Sequence, residues 1–183
     1  AKAMAREDND QTRLVDLLRG EVAATADVDA RNEALVELAE ALSLVPSGRG
    51  EALAIAGTIL DDAPGSDAAC NILASLLDDG ETRQPAALLL REAAMHKGDP
   101  ARLKQALVVL LEHESDPVQR AGLRHSLAQV LDALGQATSS DEVQAQGLLD
   151  PLGASQGLIA LVEHLTRRDR MSRLGGLVSE TLA

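Results

Sequence analysis

The sequence predicts an all-α protein of about ten helices laid side by side as antiparallel pairs, an α-solenoid, and three observations carry that reading. The first is a uniform offset of about 89 positions between the two halves. It relates Asp10 to Asp99, Leu14 to Leu103, Leu18 to Leu107, Asp27 to Asp116, Leu38 to Leu127, Ala39 to Ala128 and Leu42 to Leu131. It continues through Leu60 and Leu149, Leu76 and Leu165, and Leu88 and Leu177. Stacked copies of one supersecondary unit leave such a trace, because each copy buries its apolar face only against its neighbour. The second is composition: 45% of the 183 residues are apolar and 25% charged, enough for a core and too apolar for disorder. Leu and Ala dominate and no run of β-branched residues reaches strand length, so propensity favours helix throughout. The third is punctuation, since start and stop signals recur at helix-length intervals.

Each helix follows from those signals. Leu14, Leu17, Leu18 and Val22 give one apolar face over about 11–25, and Leu35, Leu38, Ala39 and Leu42 another over about 29–45. Pro46, Gly48 and Gly50 stop the second, and a third runs over about 51–62 to Pro64 and Gly65. Ser66 or Asp67 caps a fourth that reaches Gly80, and Thr82 opens a fifth that Gly98 closes. Asp99 before Pro100 and Asp116 before Pro117 are caps with proline in the first turn, so two further helices start there and end near Glu114 and Gly135. The segment from Gly135 to Ser140 is the loosest connection, and the last three helices occupy about 140–150, 155–167 and 170–182. Connections this short make neighbours antiparallel, and none resembles an interdomain linker, so 1–183 is expected to be one helical-repeat domain.

Spacing within the pairs is more specific. Ala52, Ala56, Ile59 and Pro64 stand four, three and five residues apart, and Ala86, Leu90, Ala93 and Gly98 repeat those intervals about 34 residues later, with Leu73, Ala74 and Leu77 between. This resembles the tetratricopeptide repeat (TPR), without its aromatic residues. The resemblance implies a right-handed TPR-like solenoid that does not catalyse, a protein–protein interaction scaffold whose first helices line a concave groove for a peptide or protein partner. On that analogy Asn71, Ser75, Arg102, Lys104 and Gln105 are the partner-binding candidates, with Gln156 and Glu163 on a later helix. Asn71, Arg102 and Lys104 are a thin version of the set with which some family members grip a terminal carboxylate. The alternative is a regulatory or sensor segment attached to a catalytic or signalling domain outside this chain.

Composition removes other functions. Phe, Trp and Tyr are absent, so nothing stacks on bases, sugars or proline-rich ligands, and no aromatic cage forms. A net charge of -12 argues against nucleic acid and anionic lipid. The acid is concentrated early: residues 1–90 carry 17 acidic and 7 basic side chains, against 12 and 10 afterwards, which favours a basic partner for the first half. No apolar stretch suits membrane insertion. No signal segment opens the chain, and a cytoplasmic address is the expectation. The start AKAMARED lacks an initiator Met and the last helix lacks a polar cap, so the sequence reads as an excerpt of a longer array able to self-associate through its ends.

No catalytic motif, cofactor or metal site is expected. His96, His113, His125 and His164 fall in different helices without a second ligand at metal spacing, and all read as surface residues, His125 half-buried. Cys70 lies one turn from Leu73 and Ala74 and reads as an inert packed thiol. Acidic neighbours such as Asp61 with Asp62 and Asp78 with Asp79 read as solvated helix ends. Arg167, Arg168, Arg170 and Arg173 form the one basic cluster, read as a solvated loop or a contact for an acidic partner.

Overall fold

The computed structural model describes residues 11–78, 80–150 and 154–183; Asp10, Asp79 and the opening segment 1–10 lie outside them. Among the described residues all regular structure is helical. The ten α-helices are α1 Gln11–Ala24, α2 Val28–Ser43, α3 Arg49–Asp62, α4 Asp67–Ser75, α5 Arg83–Lys97, α6 Pro100–His113, α7 Pro117–Ala133, α8 Ala137–Ala145, α9 Ala154–Arg167 and α10 Leu174–Leu182. Short 3-10 turns stand at Pro46–Gly48, Leu76–Asp78, Gln146–Leu149 and Met171–Arg173.

The caps act as their residue types dictate. Asp27 Oδ1 accepts from the Ala30 amide at 2.9 Å, Asp116 Oδ1 from Val118 at 2.9 Å, and Asp99 Oδ1 from Ala101 and Arg102 at 3.0 and 3.1 Å. Each satisfies amides that the first helical turn leaves without a carbonyl. Gly98 and Gly135 end α5 and α7 with φ of 71° and 73°, a left-handed conformation that disfavours other residues. The next amides close both ends, Asp99 to the Ala94 carbonyl at 2.9 Å and Gln136 to Leu131 at 2.8 Å. That closure shortens the loop expected at 135–140. The chain needs only Leu134, Gly135 and Gln136 to turn, and α8 begins at Ala137.

The chain gathers into two compact units that divide within α6, between Arg102 and Leu103. In the first, each helix from α1 to α5 packs on the next, and α2 also meets α4 and α3 meets α5. Leu18, Leu73, Leu76 and Leu90 are fully buried, and so are the small residues Ala39, Ala52, Ala56 and Ala86 that let helix backbones approach. Each buried leucine contributes ~1.5–3 kcal/mol. In the second unit, Leu107, Leu127, Val130 and Leu131 form one core cluster, and Ala145, Leu161, Leu165 and Leu177 another.

Environments at the 89-residue offset are alike at some positions and unlike at others. Leu18 and Leu107, Leu38 and Leu127, Leu42 and Leu131, and Leu76 and Leu165 are all buried, and Asp27 and Asp116 are both caps. Leu88 is exposed where Leu177 is buried, and Leu149 is exposed where Leu60 is half-buried. The similarity is therefore strongest over α1–α2 against α6–α7.

Candidate functional site

Three arrangements of polar side chains bear on function. The first contains the residues singled out from sequence. Asn71 and Ser75 lie on α4 and are exposed. The Arg102 guanidinium meets Asp67 Oδ1 at 2.5 Å through Nη1 and donates to Asn71 Oδ1 at 2.7 Å through Nη2. The Lys97 ammonium pairs with the other Asp67 oxygen. Hydrogen bonds from Lys97 and Arg102 hold the Asp67 carboxyl at about 2. A partner carboxylate at Arg102 would therefore compete with Asp67. Ser75 Oγ donates to the Ile72 carbonyl at 2.7 Å. On α6, Lys104 donates to Gln136 Oε1 at 2.9 Å, and Gln105 is exposed. Glu163 pairs with Arg167 on the surface of α9.

The second is a buried polar knot in the second unit. Ser140 and Asp141 have no exposed surface and His164 is 3% exposed, which corrects the surface reading of that histidine. His164 Nε2 lies 3.1 Å from Asp141 Oδ1 and 3.2 Å from Ser140 Oγ. Ser140 Oγ donates to the Ala128 carbonyl at 2.9 Å, so it accepts from the histidine and Nε2 carries the proton. Burial pushes the imidazole below its ordinary value, aided by the Arg168 charge and opposed by Asp141; the ring is neutral at pH 7.

The arginines expected in a solvated loop are drawn into this knot. Arg173 pairs with Asp141 Oδ2, Arg168 pairs with Asp132 Oδ2, and Arg170 Nη2 lies 3.0 Å from Asp132 Oδ1 and 3.1 Å from Asp141 Oδ1. Arg170 Nη1 also donates to the Ala137 carbonyl at 3.0 Å. Desolvation alone would raise the Asp132 carboxyl, but the hydrogen bond from Arg170 and the charges of Arg168 and Arg170 hold it below its ordinary value. Only Arg167 keeps the expected exposed setting. Loop position suggested solvent; two carboxylates on α7 and α8 supply the reason otherwise.

A serine, a histidine and an aspartate in contact invite comparison with a hydrolase triad, and the geometry rejects it. A triad needs the nucleophile on one ring nitrogen and the carboxylate on the other. Here both meet Nε2, and the serine proton is committed to a backbone carbonyl with no access from solvent. The knot fastens α7, α8 and the turn before α10 together. The remaining histidines, His125 included, are exposed. Among the described residues no three His, Cys, Asp or Glu side chains gather as they would around a metal ion. Cys70 is buried, and burial raises its thiol.

The third is a cleft of about 400 Å³ in the first unit, between α3 and α5. Gly57, Leu60, Pro64, Leu89 and Ala93 form its apolar surface, and Asp61, Glu92 and His96 its polar edge. Gly57 leaves the floor open: a methyl there would meet Leu89 Cδ1 at 3.7 Å. Asp61 and Glu92 are exposed, from different helices, and neither is engaged by a cation of the described chain. Sequence reasoning missed this cleft, because it took Asp61 as a helix end and gave Glu92 no role.

A second cleft of similar size lies within the other unit, lined by Val108, Leu111, Leu127 and Val143 with Glu112, Arg120 and Gln146. There Arg120 is turned to the Glu114 carbonyl at 2.8 Å. No helix among the described residues is long and apolar enough to cross a membrane. Compared with family models, curated proteins and solved structures, the chain matches none.

Proposed function

We propose that this chain is a non-catalytic protein-interaction scaffold, a segment of a TPR-like helix-pair array, whose first unit takes a short apolar and basic segment of a partner protein in the α3/α5 cleft. The observation that carries the reading is the pairing of an open apolar floor, Leu60, Pro64, Leu89 and Ala93, with two carboxylates, Asp61 and Glu92, that no cation among the described residues engages. A cleft of about 400 Å³ suits one or two aliphatic side chains, and carboxylates at its rim select a cation beside them and speed encounter. The acid-rich first half adds a long-range field of the same sign. Packing of each helix on the next in the first unit, and of α2 on α4 and α3 on α5, supports the stacked-pair architecture. The tied state of Arg102 places the carboxylate-gripping set second to this cleft.

The test uses labelled peptides with one leucine flanked by two lysines in a Gly/Ser background, titrated into ¹⁵N-labelled protein. Shift changes are expected at Gly57, Leu60, Leu89 and Ala93. The double substitution Asp61→Asn with Glu92→Gln should weaken binding about fivefold, the equivalent of ~1 kcal/mol for rim ion pairs. Equal binding of a glutamate-for-lysine peptide, or shifts confined to another surface, would refute the reading.

A further inference from the structure

A small cavity in the second unit, where α7, α8 and α9 meet the turn at Gln146–Leu149, is lined by two residues whose buried donors find no acceptor among the described residues. It measures about 20 Å³ and is lined by Ala121, Arg124, Gln144, Gly147, Asp150 and Gly157 among others. Arg124 and Gln144 are each 3% exposed. The Arg124 guanidinium spends Nη1 on Asp150 Oδ2 at 2.6 Å and Nη2 on Asp150 Oδ1 at 3.0 Å. Its Nε–H and the Gln144 Nε2 amide are buried without a hydrogen-bond partner among the described residues.

Two orphaned donors on residues that line one cavity are a costly arrangement for an apolar pocket and a normal one for a site that receives an acceptor. The glycines fit the same purpose. A methyl on Gly147 would press on Gly157 Cα at 3.3 Å and touch Arg124 Nη1 at 3.6 Å, so a longer side chain there would crowd the cavity. The volume matches one water-sized occupant and is too small for a carboxylate or phosphate. The charge is mildly positive, since Arg120 Nε stands 3.5 Å from Asp150 Oδ1 and joins Arg124 around a single carboxylate.

We propose that this cavity is a binding site for one small hydrogen-bond acceptor, a water molecule or a chloride ion, held by the Arg124 Nε–H and the Gln144 side-chain amide. The occupant fastens α7 to α8 beside the Gly147 and Gly157 contact. Water would in addition donate to the Asp150 carboxylate, whereas chloride would use the surplus positive charge.

The test is NMR on the ¹⁵N-labelled full chain in chloride-free sulfate buffer, followed by titration with sodium chloride at constant ionic strength. For water, direct rotating-frame Overhauser peaks to the solvent line are expected at both the Arg124 Nε–H and the Gln144 amide, with sign opposite to exchange peaks. The exposed Gln129 amide should show exchange alone. For chloride, both resonances should shift and saturate with chloride and remain still with added sulfate. Gln144→Leu should abolish either response at Arg124 while leaving the backbone spectrum folded. Absence of both responses in the unsubstituted chain would overturn the proposal whatever the variant does.

Discussion

Replacing Gly157 by alanine sets two helix effects against each other, and the coordinates say which wins. Gly157 lies in the first turns of α9, where alanine is intrinsically the better helix former by ~1 kcal/mol. The methyl, however, would sit 2.5 Å from the Gly147 carbonyl carbon, nearer still to its oxygen, and 3.0 Å from the Leu148 amide nitrogen. Ordinary contacts to such atoms begin near 3.4 Å, so α9 must retreat by close to 1 Å from the Gln146–Leu149 turn. Those neighbours are backbone and cannot rotate aside. Overpacking of this kind costs ~1–3 kcal/mol or more, and displacement of the helix also loosens Leu161 and Leu165, both fully buried. The expected net change is ~1–2 kcal/mol of destabilisation. Gly122→Ala is the internal comparison, because Gly122 is helical in α7 and nothing lies within 4 Å of its added methyl; that variant should gain ~0.5–1 kcal/mol. Urea unfolding followed by helical circular dichroism measures both. Stabilisation by Gly157→Ala, or equal effects of the two substitutions, would refute the close-approach argument.

Other expectations follow from the buried polar groups. The His164 imidazole lies below its ordinary value in the folded chain, so the unfolded chain takes up its proton first. Stability should be full above about pH 6.5 and fall as pH drops below it, by at most ~1.4 kcal/mol per unit. The groups facing it are Ser140, Asp132, Asp141, Arg168, Arg170 and Arg173, and the pH slope of thermal unfolding between 7.5 and 5.5 should vanish in His164→Gln. Asp141→Asn strands the paired guanidinium groups and should cost ~3–5 kcal/mol in urea unfolding, whereas Asp61→Asn on the exposed cleft edge should stay within ~0.5 kcal/mol. Cys70, fully buried with a raised thiol, should react with a thiol reagent only in step with unfolding; rapid reaction of the native chain would contradict its packing.

Local chemistry was legible in the sequence, and long-range pairing was not. Asp99 with Pro100, Asp116 with Pro117, and the closing Gly98 and Gly135 announced helix ends that the coordinates place within a few residues. Such signals act over one turn, so one turn of sequence contains them. Leu38, Leu42, Leu127 and Leu131 were readable as core by helical spacing. His164 was not read as buried, although it stands three residues after Leu161 and next to Leu165 on the same apolar face; that spacing was the available signal. Its partner Asp141 is 23 residues away. Arg168, Arg170 and Arg173 read as solvated in the sequence because their carboxylates lie on α7 and α8, beyond the reach of any local rule. The α3/α5 cleft depends on which faces two helices leave uncovered, and neither helix records that alone.

The reach of Arg170 has a consequence for how the chain opens. From the turn ahead of α10, this one side chain grips the Asp132 carboxylate near the end of α7, the Ala137 carbonyl at the start of α8, and Asp141 one turn further on. A helix held to its neighbours along one stretch ordinarily frays from the other, each turn exchanging its amide hydrogens sooner than the one before. Here unwinding beyond Arg173 removes guanidinium charge from the half-buried Asp132 and the buried Asp141, on two other helices, at once. Deuterium should therefore enter α8, α9 and the base of α10 in a single step, so that these three helices melt as a block.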